Sequence, residues 1–206
     1  MSFTLLIIIF TCIISIMAFN NREMMTRFQL NPYSVIHRGE WFRVLTHGFL
    51  HADYMHLFVN MFVLFMFGGA VEEYFRAYFR EKAILYLTLM YFGAIMVSVI
   101  STLHKHKHDI WYNGVGASGA VSAILFSSVL FQPLTNLCLY GIPFLCFPGF
   151  IWAVAYVVYS YYQGKKGMDN INHEAHLYGA LFGIAFTLML RPSTGLEFIH
   201  NIMNWL

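Results

Sequence analysis

Gly114–Phe131 reads GVGASGAVSAILFSSVLF and lies inside a longer stretch, Ile110–Gly164, that contains no Asp, Glu, Lys or Arg. An average soluble domain is about 25% charged. This chain is 11% charged and 59% hydrophobic, more apolar surface than one soluble core can bury. It is therefore read as an integral membrane protein. Working outward from Gly114–Phe131, five more apolar stretches approach the roughly 20 residues that a helix needs to cross the hydrocarbon: Phe3–Phe19, Tyr54–Val71, Ala83–Leu103, Phe147–Tyr162 and Ala175–Leu190. Gln132-Pro133-Leu134-Thr135-Asn136 is the turn between the fourth and fifth, and Pro143 and Pro148 make the start of the fifth irregular. The expected fold is all-α: a polytopic membrane protein with six transmembrane helices in a compact bundle, one domain over residues 1–206. No Lys or Arg precedes Phe3–Phe19 and no A-x-A pattern follows it, so it reads as a retained span and not a signal peptide.

Two segments are interfacial rather than spanning. Asn20–Asp53 mixes Arg22, Glu23, Arg27, Arg38, Glu40 and Arg43 with Phe28, Leu30, Tyr33, Ile36, Trp41 and Phe42, the character of a folded element at a membrane surface. The tail 191–206 carries Leu196, Phe198, Ile199, Ile202, Met203, Trp205 and Leu206 after Arg191-Pro192 and is expected in the interface. A net charge of +2 with no long basic run excludes nucleic acid as a partner. Cys12, Cys138 and Cys146 have spacings that fit neither a zinc site nor a disulfide framework. His104, His106 and His108 alternate with lysines in a short connection and read as a solvated loop near the lipid headgroups. Trp152, Tyr156, Tyr159, Tyr161 and Tyr162 read as an aromatic belt or packing.

Span count alone makes one geometric statement. If span one ends on side A, then span two begins there, span three ends there, and spans four and six begin there. His56 and Asn60 are near the start of span two, Ser118 of span four and His176 of span six. All four share a side and a depth of one to two helical turns. Polar residues inside a span are functional hypotheses by default, and this set matches the needs of acyl transfer. Ser118 is a nucleophile at a helix start, where unpaired N–H groups favour a developing oxyanion. His176 is a base with an ordinary pKa near 6.5. His56 and Asn60, at i and i+4, share one face and can donate to an oxyanion.

Each signal has an ordinary reading as well. Gly114–Ala120 alone fits a small-residue packing face, and His56 with Asn60 fits an interhelical hydrogen-bonding pair worth about 0.6–2 kcal/mol. Gly179 and Gly183, three and seven residues past His176, provide a groove in which span four can pack. No carboxylate inside a span is placed to orient His176, so a dyad is expected, not a triad. H-E-x-x-H is absent and His173-Glu174-Ala175-His176 is one residue short of it, so no metal and no cofactor are expected.

These elements resemble the rhomboid family of intramembrane serine proteases in its compact six-span form. The likeness runs from Glu40 to Gly183: Glu40-Trp41-Phe42-Arg43, then His56-x-x-x-Asn60, then Gly116-Ala117-Ser118-Gly119, then Ala175-His176-x-x-Gly179-x-x-x-Gly183. It implies Ser118 as nucleophile and His176 as base. The Ser118 N–H, His56 and Asn60 would form the oxyanion hole, with Gly116, Gly119, Gly179, Gly183 and Arg43 in support. It also implies a first connection partly in the membrane, and a fifth span and following loop that gate lateral access of a substrate helix. Substrates would be single-span membrane proteins. Departures are Phe42 where the family usually has Trp before the loop arginine, and Ser122 where some members carry a tyrosine that stacks on the histidine.

Arg22, Arg27, Arg38, Arg43, Lys105, Lys107, Lys165 and Lys166 on side A outnumber Arg76, Arg80, Lys82 and Arg191 on side B. The positive-inside rule would place side A in the cytoplasm. The resemblance implies the opposite, a bacterial inner membrane with the site opening outward, and that is the expectation adopted. Rival readings are a catalytically silent relative that binds membrane proteins, and a small transporter or channel using the same polar cavity. Haem held by histidine pairs is a distant third.

Overall fold

The computed structural model describes residues 2–138, 146–166 and 172–205, apart from the side chains of Lys165 and Lys166. Expectations that fall on Pro143, Leu206 and those two side chains lie outside the described residues. The first helix, α1, is Phe3–Phe19. Asn20–Asp53 is folded, as its mixed composition implies: α2 is Arg22–Phe28, α3 is Pro32–Arg38 and α4 is Arg43–Thr46, followed by a tight turn at His47–Phe49. Asn21 and Asn31 cap α2 and α3 with their side-chain oxygens, satisfying amides that a helix start leaves open. Then come α5 (Tyr54–Phe79), α6 (Ala83–Ser98), α7 (Ile100–Lys105) and α8 (Ser118–Phe131). After a hairpin follow α9 (Gly149–Lys166), α10 (His173–Leu190) and α11 (Ser193–Trp205).

Tyr54–Lys105, a run broken only by short turns, is long and apolar enough to cross a membrane; Phe3–Phe19 and Ser118–Phe131 are apolar and shorter. Several expected limits move. α5 continues eight residues past Val71, to Phe79, because buried Glu72 is satisfied by Arg76 one turn on (2.8 Å) and by the start of α1, and so does not stop it. Ala83–Leu103 breaks at Val99. The fourth helix begins at Ser118, not Gly114, because Gly116 takes a φ of +127° that no helix admits.

A two-stranded antiparallel hairpin departs from the all-α expectation: β1 (Asn136–Cys138) pairs β2 (Cys146–Pro148), with Cys138 opposite Cys146. It also corrects the reading of the cysteines, since Cys138 and Cys146 form a disulfide and Cys12 is free. Strand register brings the two sulfurs together, and cysteine spacing alone does not reveal a register.

α8 is the buried axis of the bundle, with Ala120, Ala123 and Ser127 fully enclosed. It packs on α10 with the backbones in contact: a Cβ on Gly179 would lie 2.1 Å from the Gly119 carbonyl oxygen, and one on Gly183 2.3 Å from that of Ala123. Such close approach is the usual association device of helices in lipid. Ser127 and Thr187 share a hydrogen bond across this seam (2.8 Å). α1 is tied at both ends. At its start, Glu72 of α5 accepts from the Phe3 and Thr4 amides (3.1 and 3.0 Å) and the Ser2 hydroxyl (2.6 Å), a carboxylate on the positive end of a helix. Near its finish, Ser15 donates to the Phe49 carbonyl (2.8 Å) and therefore accepts from His51 Nδ1–H (2.9 Å). Outside this core, α1 exposes Leu6, Ile9, Phe10 and Ile13, and α5 exposes Met55, Phe58, Phe62 and Phe65. Apolar surface this extensive marks a lipid or protein partner.

Candidate active site

A cavity of about 750 Å³ opens at the end of the bundle where α5, α8 and α10 begin, and Gly116, Ser118, Gly119, His56, Asn60 and His176 all line it. The depth argument from span count thus brings its four residues to one place. Of the supporting residues, Gly179 and Gly183 form the α8–α10 seam instead. Arg43 is outside the cavity lining and acts as a staple: Nε meets Glu40 (2.5 Å), and one terminal nitrogen donates to the Thr26 and Gln29 carbonyls (both 2.8 Å).

Ser118 is the first residue of α8, with Ala117 at the cap position. The first bond of the helical ladder runs from the Val121 amide to the Ala117 carbonyl (2.9 Å). The amides of Ser118, Gly119 and Ala120 therefore stand ahead of the ladder, as at any helix start. The segment leading in is held from both sides. Leu30 and Gly114 exchange backbone hydrogen bonds (2.9 Å each), and the Gly116 amide donates to the His47 carbonyl (3.0 Å). Gly116 is required twice over: its φ of +127° disfavours a side chain, and a Cβ there would sit 2.8 Å from the His56 ring.

That ring is oriented by its own neighbourhood. Asp53 caps α5 by accepting the His56 amide (2.7 Å), and the Ala52 amide donates to His56 Nδ1 (3.4 Å). With Nδ1 accepting, a neutral imidazole carries its proton on Nε2, the tautomer needed to donate into the cavity. Asn60 is buried and gives one amide hydrogen to the His56 carbonyl (2.9 Å), leaving its second.

His176 lies in the first turn of α10, whose start is fastened to α7. Asn172 caps the helix by accepting the Ala175 amide (3.0 Å) and donates to the Thr102 hydroxyl (2.7 Å), while Glu174 accepts from Ser101 (2.6 Å) and pairs with Lys105. Glu174 thus serves the fastening and not the histidine. Against the His176 ring lies Tyr156 of α9, nearly parallel at 22° with centroids 6.1 Å apart, its hydroxyl bonded to Ser122 (3.0 Å). Outside the apolar stretches, burial pushes the His47 imidazole down to about 4 and His51 down to about 3, the latter aided by His56; burial raises the Tyr112 phenol. Among the described residues no group of three or more His, Cys, Asp or Glu could hold a metal. His106 stacks on Tyr112 at 3.8 Å and His108 lies 5.5 Å from His37.

The model of the Rhomboid domain family matches residues 38–193, most of the chain and every residue lining this cavity except Leu30. The chain belongs to the rhomboid family. Rhomboid proteins are integral membrane proteins, and so is this one. It is similar to RHOMBOID-like protein 6, mitochondrial, of Arabidopsis thaliana (28% identity over 81% of this chain and 50% of the relative). It is also similar to Rhomboid-like protein 11, chloroplastic, of the same plant (30%, over 76% and 56%) and to Rhomboid protease AarA of Providencia stuartii (30%, over 50% and 39%). The chain spans about half the length of the two plant relatives. Sequence reasoning missed how this rhomboid cavity is supported: Asp53 and Ala52 under His56, His47 under Gly116, and Tyr156 beside His176. An S/T/D/N residue three before His56 was a legible cap signal; the other contacts join distant segments and leave no local trace.

Proposed function

We propose that this chain is an intramembrane serine endopeptidase that crosses the bilayer six times and cuts the transmembrane segments of single-span membrane proteins. The observation that carries this reading is the convergence of Ser118, His176, His56 and Asn60, drawn from three helices, on one cavity. In the proposed reaction His176 takes the Ser118 hydroxyl proton as Oγ attacks the scissile carbonyl carbon. The carbonyl π electrons move to oxygen. The resulting oxyanion receives hydrogen bonds from the Ser118 amide, His56 Nε2–H and the remaining Asn60 N–H. Collapse breaks the C–N bond, and His176 returns its proton to the leaving amine. A water molecule then attacks the acyl-serine by the same route, regenerating Ser118. Neither metal nor cofactor is needed.

Because a helical peptide bond is shielded by its own hydrogen bonding, the substrate helix must unwind locally, and Gly, Pro or polar residues near the cut favour this. The cavity opens, in this proposal, on the outer side of a bacterial inner membrane. The Cys138–Cys146 disulfide at the far end of α8 bears on this orientation, because a cytoplasmic face keeps thiols reduced and an outer face lets a disulfide persist. In intact cells Cys138 and Cys146 are expected to be alkylated by a permeant but not an impermeant maleimide; a pair that neither reagent labels until a reductant is added reverses the orientation. The activity itself is tested with purified protein and a helix-destabilised transmembrane substrate. Ser118→Ala and His176→Ala are expected to abolish cleavage, and a fluorophosphonate is expected to label Ser118. Undiminished cleavage by both variants would reject the dyad.

A further inference from the structure

We infer that His51 is the positioning residue of His56, holding its ring in the plane from which Nε2–H reaches the oxyanion; the inference rests on the oxyanion-hole reading above. A donor of this kind acts only if its N–H is aimed before charge develops, and an imidazole can turn about its Cβ–Cγ bond. The Ala52 amide meets His56 Nδ1 at 3.4 Å, a long contact for a single restraint. Beside it, the His51 ring meets the His56 ring edge to face, with centroids 4.9 Å apart and planes at 73°, inside the range where aromatic pairs interact. The Gly116 backbone is also close, since a Cβ there would sit 2.8 Å from the same ring. The His56 imidazole is thus confined by ring and backbone contacts as well as by one hydrogen bond.

His51 suits this task because it is itself held in place. It is fully buried, and its Nδ1–H donates to the Ser15 hydroxyl of α1 (2.9 Å), whose own proton goes to the Phe49 carbonyl (2.8 Å). Ser15 is likewise fully enclosed. One chain of contacts therefore leads from α1, through Ser15 and His51, to a donor on α5. No described residue of α1 lines the cavity, yet by this route α1 bears on the chemistry. Two roles for His51 can be told apart. If it only tied α1 to the segment before α5, any side chain that donates to Ser15 would be enough, and asparagine puts its side-chain nitrogen close to where Nδ1 stands. Positioning His56 requires the ring.

The discriminating experiment is a double-substitution cycle in the full chain, read as kcat and KM on the helix-destabilised transmembrane substrate. In the parent, His51→Asn should lower kcat by about 10- to 10²-fold, up to the penalty of a group misplaced by about 1 Å, with KM within about threefold. In a His56→Ala chain the donor is gone, and the same substitution should lower kcat by less than about twofold, because the two residues act through one group. Thermal midpoints of all chains accompany the rates. Should His51→Asn fail to fold, Ser15→Ala takes its place in the cycle: it unties the His51 ring and should cost about tenfold in the parent and nothing further beside His56→Ala. Parental kcat in His51→Asn overturns the inference. So does an equal loss in both backgrounds, or a loss confined to KM. If His56→Ala itself keeps the parental rate, the oxyanion-hole reading fails and the inference with it; if His56→Ala is slow and the two losses multiply, only the role of His51 fails.

Discussion

The α8–α10 seam and the first connection, residues 20–53, meet at the cavity but are held by opposite means. Along the seam the decisive feature is what side chains lack. Gly179 and Gly183 have no Cβ, so the α10 backbone rests on the carbonyls of Gly119 and Ala123. In the first connection the decisive feature is what side chains reach: Arg43 takes the Thr26 and Gln29 carbonyls, Thr46 takes that of Phe28 (2.8 Å), and Asn31 takes those of Ile110 and Tyr112 (3.1 and 3.0 Å). A seam of that kind carries no titratable group and is insensitive to acid and salt. A loop of polar staples responds to both, and it includes His47, whose carbonyl holds Gly116 just ahead of Ser118.

The sharpest way to break the contrast is Gly179→Val. Its branched side chain would have to displace backbone, not a flexible side chain. Overpacking of a tight core costs about 1–3 kcal/mol and occasionally more; here the upper end is expected, seen as loss of folded protein in detergent. A similar yield and melting temperature to the parent would show that the seam is looser than drawn. Next, His56→Ala acts where the two regions meet. It should leave folding near normal and lower kcat by about 10²–10³, the effect of removing one oxyanion donor. An unchanged rate would mean that His56 only packs over Gly116.

Acid should separate the regions directly. His47, with its folded pKa lowered to about 4 by burial, is neutral when folded and picks up a proton on unfolding at mildly acidic pH. Its contribution is therefore complete above the unfolded pKa of about 6.5 and is lost as pH falls from there toward about 4. That amounts to an order of 3 kcal/mol. Hydrogen exchange between pH 7 and pH 4.5 should speed up in residues 22–49 and hardly at all in α8 and in α10 from Gly179 onward, past the titratable groups of its first turn; uniform acceleration would remove the distinction. The smallest effect expected is that of Arg43→Lys, which keeps the charge and loses the forked contact to two carbonyls. The Thr26 carbonyl is exposed and that of Gln29 half-buried, so water replaces the lost donor and about 0.5–1.5 kcal/mol is expected, the usual net worth of a hydrogen bond, read as a slightly lower melting temperature. Parental stability would show Arg43 to be a surface charge.

Much of the architecture and the cavity was legible before any coordinates. Phe3–Phe19 matched its helix at both ends, because uncharged runs end where charge and turn residues begin. Ser118, His176, His56 and Asn60 could be brought to one end of the bundle because crossing a membrane reverses direction each time. Tyr156 beside His176 could not be foreseen. A helix that is apolar on nearly every side gives no amphipathic phase from which to tell its rotation, so which tyrosine of α9 faces inward was open. Glu72 on the start of α1, and Cys138 opposite Cys146, depend on contacts between segments far apart or on strand register, and neither is written in local spacing.

What the chain of residues dictated unaided was which segments are apolar, where they end, and hence which polar groups share a depth. Which of those groups touch followed only from folding. Rotation about a helix axis and approach between helices are set by glycines meeting carbonyls and by side chains arriving from elsewhere in the chain, and both exist only once the helices have packed.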